Sequence, residues 1–519
     1  MYVLIAIAFL AAASSSALYF LKNMHMFQLN SYKAVNQFRW LTKNLIRLVP
    51  SAAFLVSFLI SIFVPAAAGF TLVLLCSLLT AFFNIPGKTK KPLKYTMRVI
   101  RMIVTSSIIY LLAAILSVII GPASFYAVIS IMSALVPLII IASNYINTPI
   151  ELGLRLWYAS DAKKMLRSSP GLTVIGITGS YGKTSLKYYL GALLRIRFNT
   201  LITPESYNTP MGVVKTVRSG LKATDEVFVC EMGAKYRGDI RELCELVNPR
   251  IGVLTSIGEQ HLESFGSTDA IIDTKFELYD YLPYDGVFFA NGDSGLITEH
   301  LAAIEPRCRV VLYGTGENCT YRAMDVSVSS SGTEFTVAGP DGEKCRFSTK
   351  LLGSHVIINL TGAIAVANDM GIPLNELVPY VRRIVPVKHR LQLIENGNTT
   401  IIDDAYNSNP AGCRAALETL SLFKGVKILV TPGMVELGKL QGKCNMEFGA
   451  QAAAVCDYVI LVGERQTAAI LDGLRSAGYP DRKVFLVQNV NEALIKANSI
   501  PTGGEKKIVL LENDLPDNY

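Results

Sequence analysis

The sequence predicts a multi-domain chain: an N-terminal α-helical transmembrane region over 1–150, an α/β phosphate-loop domain over 151–385, and a Rossmann-like α/β domain over 386–519. Three observations predict it. The first 150 residues contain no Asp or Glu and are crowded with apolar runs. A glycine-rich loop, Gly179-Ser180-Tyr181-Gly182-Lys183-Thr184-Ser185, follows the apolar run Thr173 to Ile177 and precedes the helical pattern Leu186 to Leu194. From about residue 165 onward, short β-rich runs alternate with helix-like stretches, as a mostly parallel sheet covered by helices requires.

The apolar runs fall at 2–21, 48–66, 67–84, 102–120 and 123–142. Each is close to the ~20 residues a helix needs to cross ~30 Å of hydrocarbon. Five spans are expected, and the near-continuity of the second and third runs around Pro65 and Gly69 leaves three to five open. The first run lacks a charged leading region and more spans follow it, so it reads as a span and not as a secretory signal. Lys22, Lys33, Arg39, Lys43 and Arg47 lie between the first and second runs, and Lys88, Lys90, Lys91, Lys94, Arg98 and Arg101 between the third and fourth. Basic loops stay in the cytoplasm, so both of them, and everything after residue 143, are expected on that side of a multi-pass cell-membrane protein. The lipid bilayer is thus an expected partner.

Charge divides the chain at the same place. The first acidic residue is Glu151, so 11 of the 49 Lys and Arg precede every acid, leaving 38 basic against 41 acidic residues beyond it. The net +8 therefore belongs to the membrane-proximal part, and no nucleic-acid partner is expected. Nine scattered cysteines without a C-x-x-C pair indicate reduced thiols and no zinc site.

In the second region, strands are expected at Thr173 to Ile177, Val227 to Cys230, Gly252 to Thr255 and Gly286 to Ala290, with an antiparallel insertion from Cys308 to Phe347 and a helix from Ile358 to Asp369. The third region is expected to hold strands at Thr399 to Ile402, Lys427 to Thr431, Tyr458 to Val462, Val484 to Val487 and Lys507 to Leu511.

The loop carries the clearest chemistry. Glycines let backbone N–H groups turn around phosphate oxygens, Lys183 adds a mobile positive charge, and the Thr184 hydroxyl can hold Mg²⁺. ATP is the expected nucleotide. Ile177 stands where the common pattern has its first glycine, so this is a narrower variant of the phosphate loop. Glu231 closes the run Val227 to Cys230, where a carboxylate commonly completes the Mg²⁺ shell, although a solvated strand-end acid also looks like this. His261 alone would more often be structural than catalytic. The cluster Asp403-Asp404 with Tyr406, Asn407 and Asn409 is too polar for core and too dense for a routine turn.

Ten blocks in order carry a resemblance to a known family: ITGSYGKTS, TPESYNTPMGV, EMGAKYRGDI, NPRIGVLTSIGEQHLESFGS, DTKFELYDYL, ANGDS, GSHVIINLTGAIAVA, DDAYNSNP, GMVELG and VGER. Over about 165–490 the chain resembles the Mur ligases, and within them the MurF type. The resemblance implies ATP-dependent amide ligation, in which a carboxylate is phosphorylated and an amine then displaces phosphate. It implies that Lys183 contacts the β- and γ-phosphates, that Thr184 and Glu231 hold one Mg²⁺, and that His261 and a carbamylated Lys275 hold a second. Asn359 matches an adenine-facing residue, Arg390 and Asp404 match residues that close over phosphate and ribose, and Asn208 and Thr209 match a substrate-side loop; Asn407 and Asn409 are expected to meet substrate as well. A cell-wall precursor and an amino acid or dipeptide are the substrates implied, with other membrane-bound wall-synthesis enzymes as further partners.

Three departures stand beside that match. Apolar spans occupy the place of the family's UDP-binding domain, and the tail Leu511-Glu512-Asn513-Asp514 has acids where a Lys-Gly-Ser motif is usual. Val356 and Gln392 also replace an Asn and an acid. The expected protein is therefore a membrane-anchored ligase for wall precursors, with a ligase for a polymer such as poly-γ-glutamate, or a membrane-tethered ATPase or scaffold, as alternatives.

Overall fold

A computed structural model describes residues 2–61, 63, 65–85, 92–120, 122–258, 265–406, 408–435 and 437–514. Two compact units divide between Trp157 and Tyr158, inside the domain expected to begin at 151.

The first unit is helical: Tyr2–Leu29, Ala34–Lys43, Val49–Ser61, Ala66–Phe83, Met97–Ile120 and Pro122–Ala134, with the start of Val136–Arg167. The five expected spans are not five full-length helices. Among the described residues one helix, Met97–Ser117, is long and apolar enough to cross a membrane, or up to three if each bent helix pair counts as one span. The apolar run at 123–142 is cut at Leu135 into pieces bent by 75°, and Ala34–Lys43 meets Leu45–Ile60 at 104°. A 13-residue helix such as Val49–Ser61 rises only ~20 Å, so an apolar run alone does not guarantee a crossing. The unit exposes apolar side chains and buries serine pairs beside its apolar cores. Leu111, Leu112, Leu116, Ile119 and Ile120 are exposed, whereas Ser16 is buried on Ser133 at 2.8 Å and Ser57 on Ser130 at 3.2 Å.

The second unit contains two sheets. The larger comprises β1 (Thr173–Thr178), β2 (Thr200–Ile202), β3 (Val227–Glu231), β4 (Ile251–Leu254), β5 (Val287–Asn291), β6 (Arg309–Gly314), β7 (Tyr321–Ser329), β8 (Gly332–Ala338) and β9 (Lys344–Thr349). Their order is β2-β3-β1-β4-β5-β6-β7-β8-β9. Pairing is parallel through β7 and antiparallel from β7 to β9, so the expected antiparallel insertion continues the same sheet. Successive residues enter opposite cores: Ile175, Ile177, Val227 and Val229 pack on one face, Val174, Phe228 and Cys230 on the other. β1 pairs with β3 on one side and β4 on the other, so the chain order reverses at its end and opens a crevice there.

The smaller sheet comprises β10 (Gln392–Asn396), β11 (Thr399–Asp404), β12 (Val426–Thr431), β13 (Tyr458–Val462), β14 (Val484–Val487) and β15 (Lys507–Glu512), ordered β10-β11-β15-β12-β13-β14. Only β10 is antiparallel, joined to β11 by a short turn at Gly397. The β11–β15 register sets Asp404 opposite Glu512. β2 and β10 were not expected; the first is three half-buried residues, too short for an alternating pattern to show.

Helices Gln441–Val455 and Glu464–Ser476 meet backbone to backbone at two glycines. A Cβ on Gly473 would run into the Met446 carbonyl, and one on Gly449 into that of Ile470. Gly→Ala normally strengthens a helix by ~1 kcal/mol. Gly473→Ala should instead lower stability by about 1–3 kcal/mol, since backbone cannot yield as a side chain can; comparison of denaturant midpoints of the two proteins checks it.

Candidate active site

The crevice at the end of β1 is filled by the phosphate loop. Gly179 (φ 147°) and Gly182 (φ 83°) adopt backbone conformations that L side chains rarely take. A Cβ on Gly182 would also stand 2.5 Å from Asn359 Oδ1, and one on Gly179 would collide with Thr255. The loop is stapled to the segment after β4: Ser180 N–H donates to the Ser256 carbonyl at 2.8 Å, and Tyr181 N–H to Ser256 Oγ at 2.8 Å. Ser180 Oγ accepts from Gly258 N–H at 3.0 Å. Helix Lys183–Leu194 then begins at Gly182 with no side-chain cap, which leaves first-turn N–H groups available to an anion. Ser185, on that turn, bonds to Tyr189 in the helix interior.

Lys183 folds back over the loop, donating to the carbonyls of Gly179 (2.5 Å) and Ser180 (3.0 Å). Burial pulls its ammonium down to about 8, Glu231 opposes that fall, and Arg390 adds to it. Lys275, on helix Thr268–Tyr281, is 3 % exposed. Burial, and then the charge of Lys183, push it well below the ordinary lysine range. Thus the charge of Arg390 reaches Lys183, and that of Lys183 reaches Lys275.

Glu231, 1 % exposed, holds the opposite side. One oxygen accepts from Thr184 Oγ1 at 3.2 Å and Asn208 Nδ2 at 3.1 Å; the other accepts from Lys187 Nζ at 2.9 Å. Hydroxyl and carboxylate oxygens so placed suit Mg²⁺, which takes oxygen ligands and keeps several waters. Thr184 and Glu231 would hold it. Lys187 is fully buried yet escapes a sequence reading, because a lysine in a helix ordinarily marks a solvated face. Its signal is spacing: Thr184 and Lys187 are three apart, so they share the helix face turned to β3.

The second sheet supplies the other wall. Arg390 lies between two non-glycine residues of positive φ, His389 (59°) and Leu391 (45°), and its guanidinium stacks 4.4 Å from the Tyr406 ring centroid. His389 Nδ1 meets Asp403 Oδ2 at 2.7 Å, and Leu391 N–H donates to Asp404 Oδ1 at 3.2 Å. Glu512 Oε1 accepts from Ser408 Oγ (2.7 Å) and Cys413 Sγ (3.3 Å), while Oε2 meets no N–H or O–H donor among the described residues. The carboxyl beside Glu512 is that of Asp404, and a shared proton satisfies two carboxyls so placed. Burial pushes Asp404 up to about 6, against the pull of Arg390, and drives Glu512 well above the carboxylate range.

Two residues expected at substrate serve as helix caps. Thr209 Oγ1 accepts from Gly212 N–H at 3.4 Å ahead of helix Pro210–Gly220, and Asn409 Oδ1 accepts from Gly412 N–H at 2.9 Å ahead of helix Pro410–Ser421. His261 and Asn407 lie outside the described residues.

Residues 177–367 match the Mur ligase middle domain, and residues 389–511 match the domain described as Mur ligase, glutamate ligase domain. The chain is 34% identical over 283 residues to the UDP-N-acetylmuramoyl-tripeptide--D-alanyl-D-alanine ligase of Bacillus subtilis, covering 54% of this chain and 60% of that protein. To the ligase of the same name from Escherichia coli it is 32% identical over 301 residues, covering 57% and 65%. The chain therefore spans less than two thirds of the length of these relatives. Among solved structures, MurF from Acinetobacter baumannii superposes with a TM-score of 0.64 at 27% identity, covering 70% of this chain and 78% of that one.

Two outcomes follow from the buried carboxyls. Lys187→Met leaves the Glu231 carboxylate without its cation, so stability should fall by about 3–5 kcal/mol. Thermal melts with and without Mg²⁺ check this, because the ion should restore more stability to the variant than to the parent. Asp404 is raised in the folded state, so its proton favours folding below the ordinary carboxylate range of ~4, and that stability is lost as pH rises through about 6. Glu512→Gln replaces the shared proton by a permanent N–H. The variant should melt above the parent at pH 7.5 and show a flatter profile between pH 5 and pH 7.5.

Proposed function

We propose that this chain, which carries the middle and C-terminal domains of the Mur ligases, is an ATP- and Mg²⁺-dependent acid–amine ligase acting on a cell-wall precursor. The observation that carries the reading is the gathering of Lys183, Lys275 and Arg390 around a phosphate loop that faces the buried Glu231. A carboxylate is a poor electrophile until one of its oxygens bears a phosphoryl group. The acceptor carboxylate oxygen attacks the γ-phosphorus of ATP and ADP leaves. An amine nitrogen then attacks the acyl carbon, phosphate leaves, and the nitrogen loses its proton. MurF-like D-alanyl-D-alanine is the amine donor proposed, on the names its relatives carry.

Each residue has a task in that scheme. Lys183 leaves the loop carbonyls to meet the β- and γ-phosphates, whose negative charge restores its proton affinity. Thr184 and Glu231 would hold Mg²⁺, which when bound supplies charge neutralisation on the phosphates. Burial and the charge of Lys183 weaken the hold of Lys275 on its proton, which favours the neutral amine that can add CO₂; the resulting carbamate, with His261, would hold a second ion. Arg390 covers the transferring group, and Asn359 and Asp404 line the nucleotide. Asn208 fixes the Glu231 carboxylate beside the substrate loop.

The first unit is proposed as a membrane anchor with the ligase domains on the cytoplasmic side. Its support is the exposed apolar surface of Met97–Ile120, the buried serines, and the confinement of the net positive charge to residues 1–150. Other membrane-bound wall enzymes would be neighbours there, and a lipid-linked acceptor is the form such a protein would meet. The test is phosphate release by the full chain in detergent. Release should require ATP, Mg²⁺, an acceptor carboxylate and D-alanyl-D-alanine together, and Lys183→Ala should reduce it at least about 100-fold, as the loss of a preorganised charge at the transition state does. Release that ignores the amine would sink the ligase reading. Rapid turnover of a soluble UDP-linked acceptor would sink the lipid-linked one.

A further inference from the structure

Helix Ala34–Lys43 of the helical unit ends at Asn44, whose φ of −127° and ψ of 57° leave the helical region, and the apolar segment Leu45–Ile60 departs from it at 104°. Its ten residues rise only ~15 Å, half of a hydrocarbon layer of ~30 Å. Asn36, Gln37, Arg39, Thr42 and Lys43 are among them, so the helix is too polar to sit within hydrocarbon. One face is fixed to the bundle. Gln37 and Leu41 are buried, Ala34 packs on the cluster of Tyr19, Met24 and Phe27, and Gln37 Oε1 accepts from Asn30 Nδ2 at 2.9 Å. The remaining surface splits into two flanks. Val35 and Phe38, three apart, are 69% and 46% exposed, and Leu45 continues the apolar exposure past the bend. Arg39 and Lys43, four apart and both exposed, form the second flank, about 90° further round the helix.

A surface so divided fits the boundary of a bilayer, where one flank meets acyl chains and the other meets headgroups. Charge complementarity selects the lipid. Residues 1–150 contain no Asp or Glu, Lys33 stands exposed at the N-terminal end of the same helix, and cations beside a membrane are drawn to anionic leaflets. We propose that Ala34–Lys43 lies in the plane of the membrane as a binding element for an anionic bilayer surface, with Val35 and Phe38 among the upper acyl chains and Arg39 and Lys43 at negatively charged headgroups. A nucleic acid would answer the cations and leave the apolar flank in water, and a zwitterionic surface would answer the apolar flank alone. The bend at Asn44 is tied to helix Tyr2–Leu29, because the Tyr19 hydroxyl donates to the Arg47 carbonyl at 3.0 Å, so an in-plane helix sets the depth of its neighbours. The inference rests on the membrane reading above and deepens it by naming the class of lipid.

The chain has two tryptophans, Trp40 and Trp157, so Trp40→Phe with Trp157→Phe clears a background for one reporter. In that background Phe38→Trp or, separately, Val35→Trp puts an indole on the apolar flank at an exposed position, where it disturbs no buried packing. The experiment is fluorescence of the full chain in bilayer discs of phosphatidylcholine mixed with phosphatidylglycerol, with bromine carried on the acyl chains of one lipid or the other. Bromine near the headgroup end of the chain should quench either reporter more than bromine near the chain end. Brominated phosphatidylglycerol should be favoured beside the reporter about tenfold over brominated phosphatidylcholine, and Arg39→Gln with Lys43→Gln should bring that preference below about twofold, as the loss of two cations at an anionic surface does. Unchanged nucleotide binding would show that the variants are folded. A reporter that is unquenched, or quenched best by the deeper bromine, would overturn the proposal, as would equal selection of the two lipids or a preference that survives the double substitution. A chain that enters no disc would sink the membrane reading as well, whereas entry without an anionic preference leaves that reading and the ligase reading standing.

Discussion

The α/β unit is organised around one buried ion pair. Lys187 and Glu231 are both withdrawn from water, which costs several kcal/mol for each ion unless every oxygen and proton finds a partner. Here they do. Lys187 also donates to the Glu205 carbonyl, Glu231 receives Thr184 and Asn208, and the Glu231 backbone N–H donates to Thr203 Oγ1 at 3.0 Å. The pair therefore locks the phosphate-loop helix, β3 and the 203–208 segment into one arrangement. A carboxylate beside a phosphate loop is what a divalent cation needs, and Lys187 holds the site in shape without that cation. Lys183 is the mobile counterpart, resting on loop carbonyls that a phosphate would replace.

The opposite wall combines left-handed backbone with two adjoining carboxyls. Left-handed backbone at a non-glycine residue costs on the order of 1 kcal/mol or more, and two such residues flank Arg390. The contacts of His389 with Asp403, and of Leu391 with Asp404, hold that conformation and so aim the guanidinium. Asp404 in turn leans on Glu512 through the β11–β15 register. The acids at the chain's end therefore form part of the wall that faces the phosphate loop, where the resemblance led one to expect a cation.

On the proposed membrane reading the helical unit meets a different solvent. In water, exposed Leu111, Leu112 and Ile119 beside buried Ser16 and Ser133 would be a poor arrangement. In lipid the apolar exterior costs nothing, and serine pairs bind helices that hydrophobicity cannot drive together. The bends at Leu135 and Asn44 show why apolar run length overstated the spans: hydropathy measures what a segment tolerates, and packing decides whether it stays straight.

Local sequence by itself determined the α/β character that begins after the helical first part, and most strands to within a residue or two: Val227 to Cys230 was expected where Val227–Glu231 forms, and Lys507 to Leu511 where Lys507–Glu512 forms. Those features depend on period-two burial, glycine turns and charge, all written in neighbouring residues. It also marked Gly179 to Thr184 and Glu231. It did not show Lys187, which looks like a surface lysine, the joining of Glu512 to Asp404, or the helix-capping bonds of Thr209 and Asn409. These were decided by tertiary structure alone, because a side chain's role depends on what distant segments place beside it, and strand register and helix packing set that over separations such as that between Asp404 and Glu512.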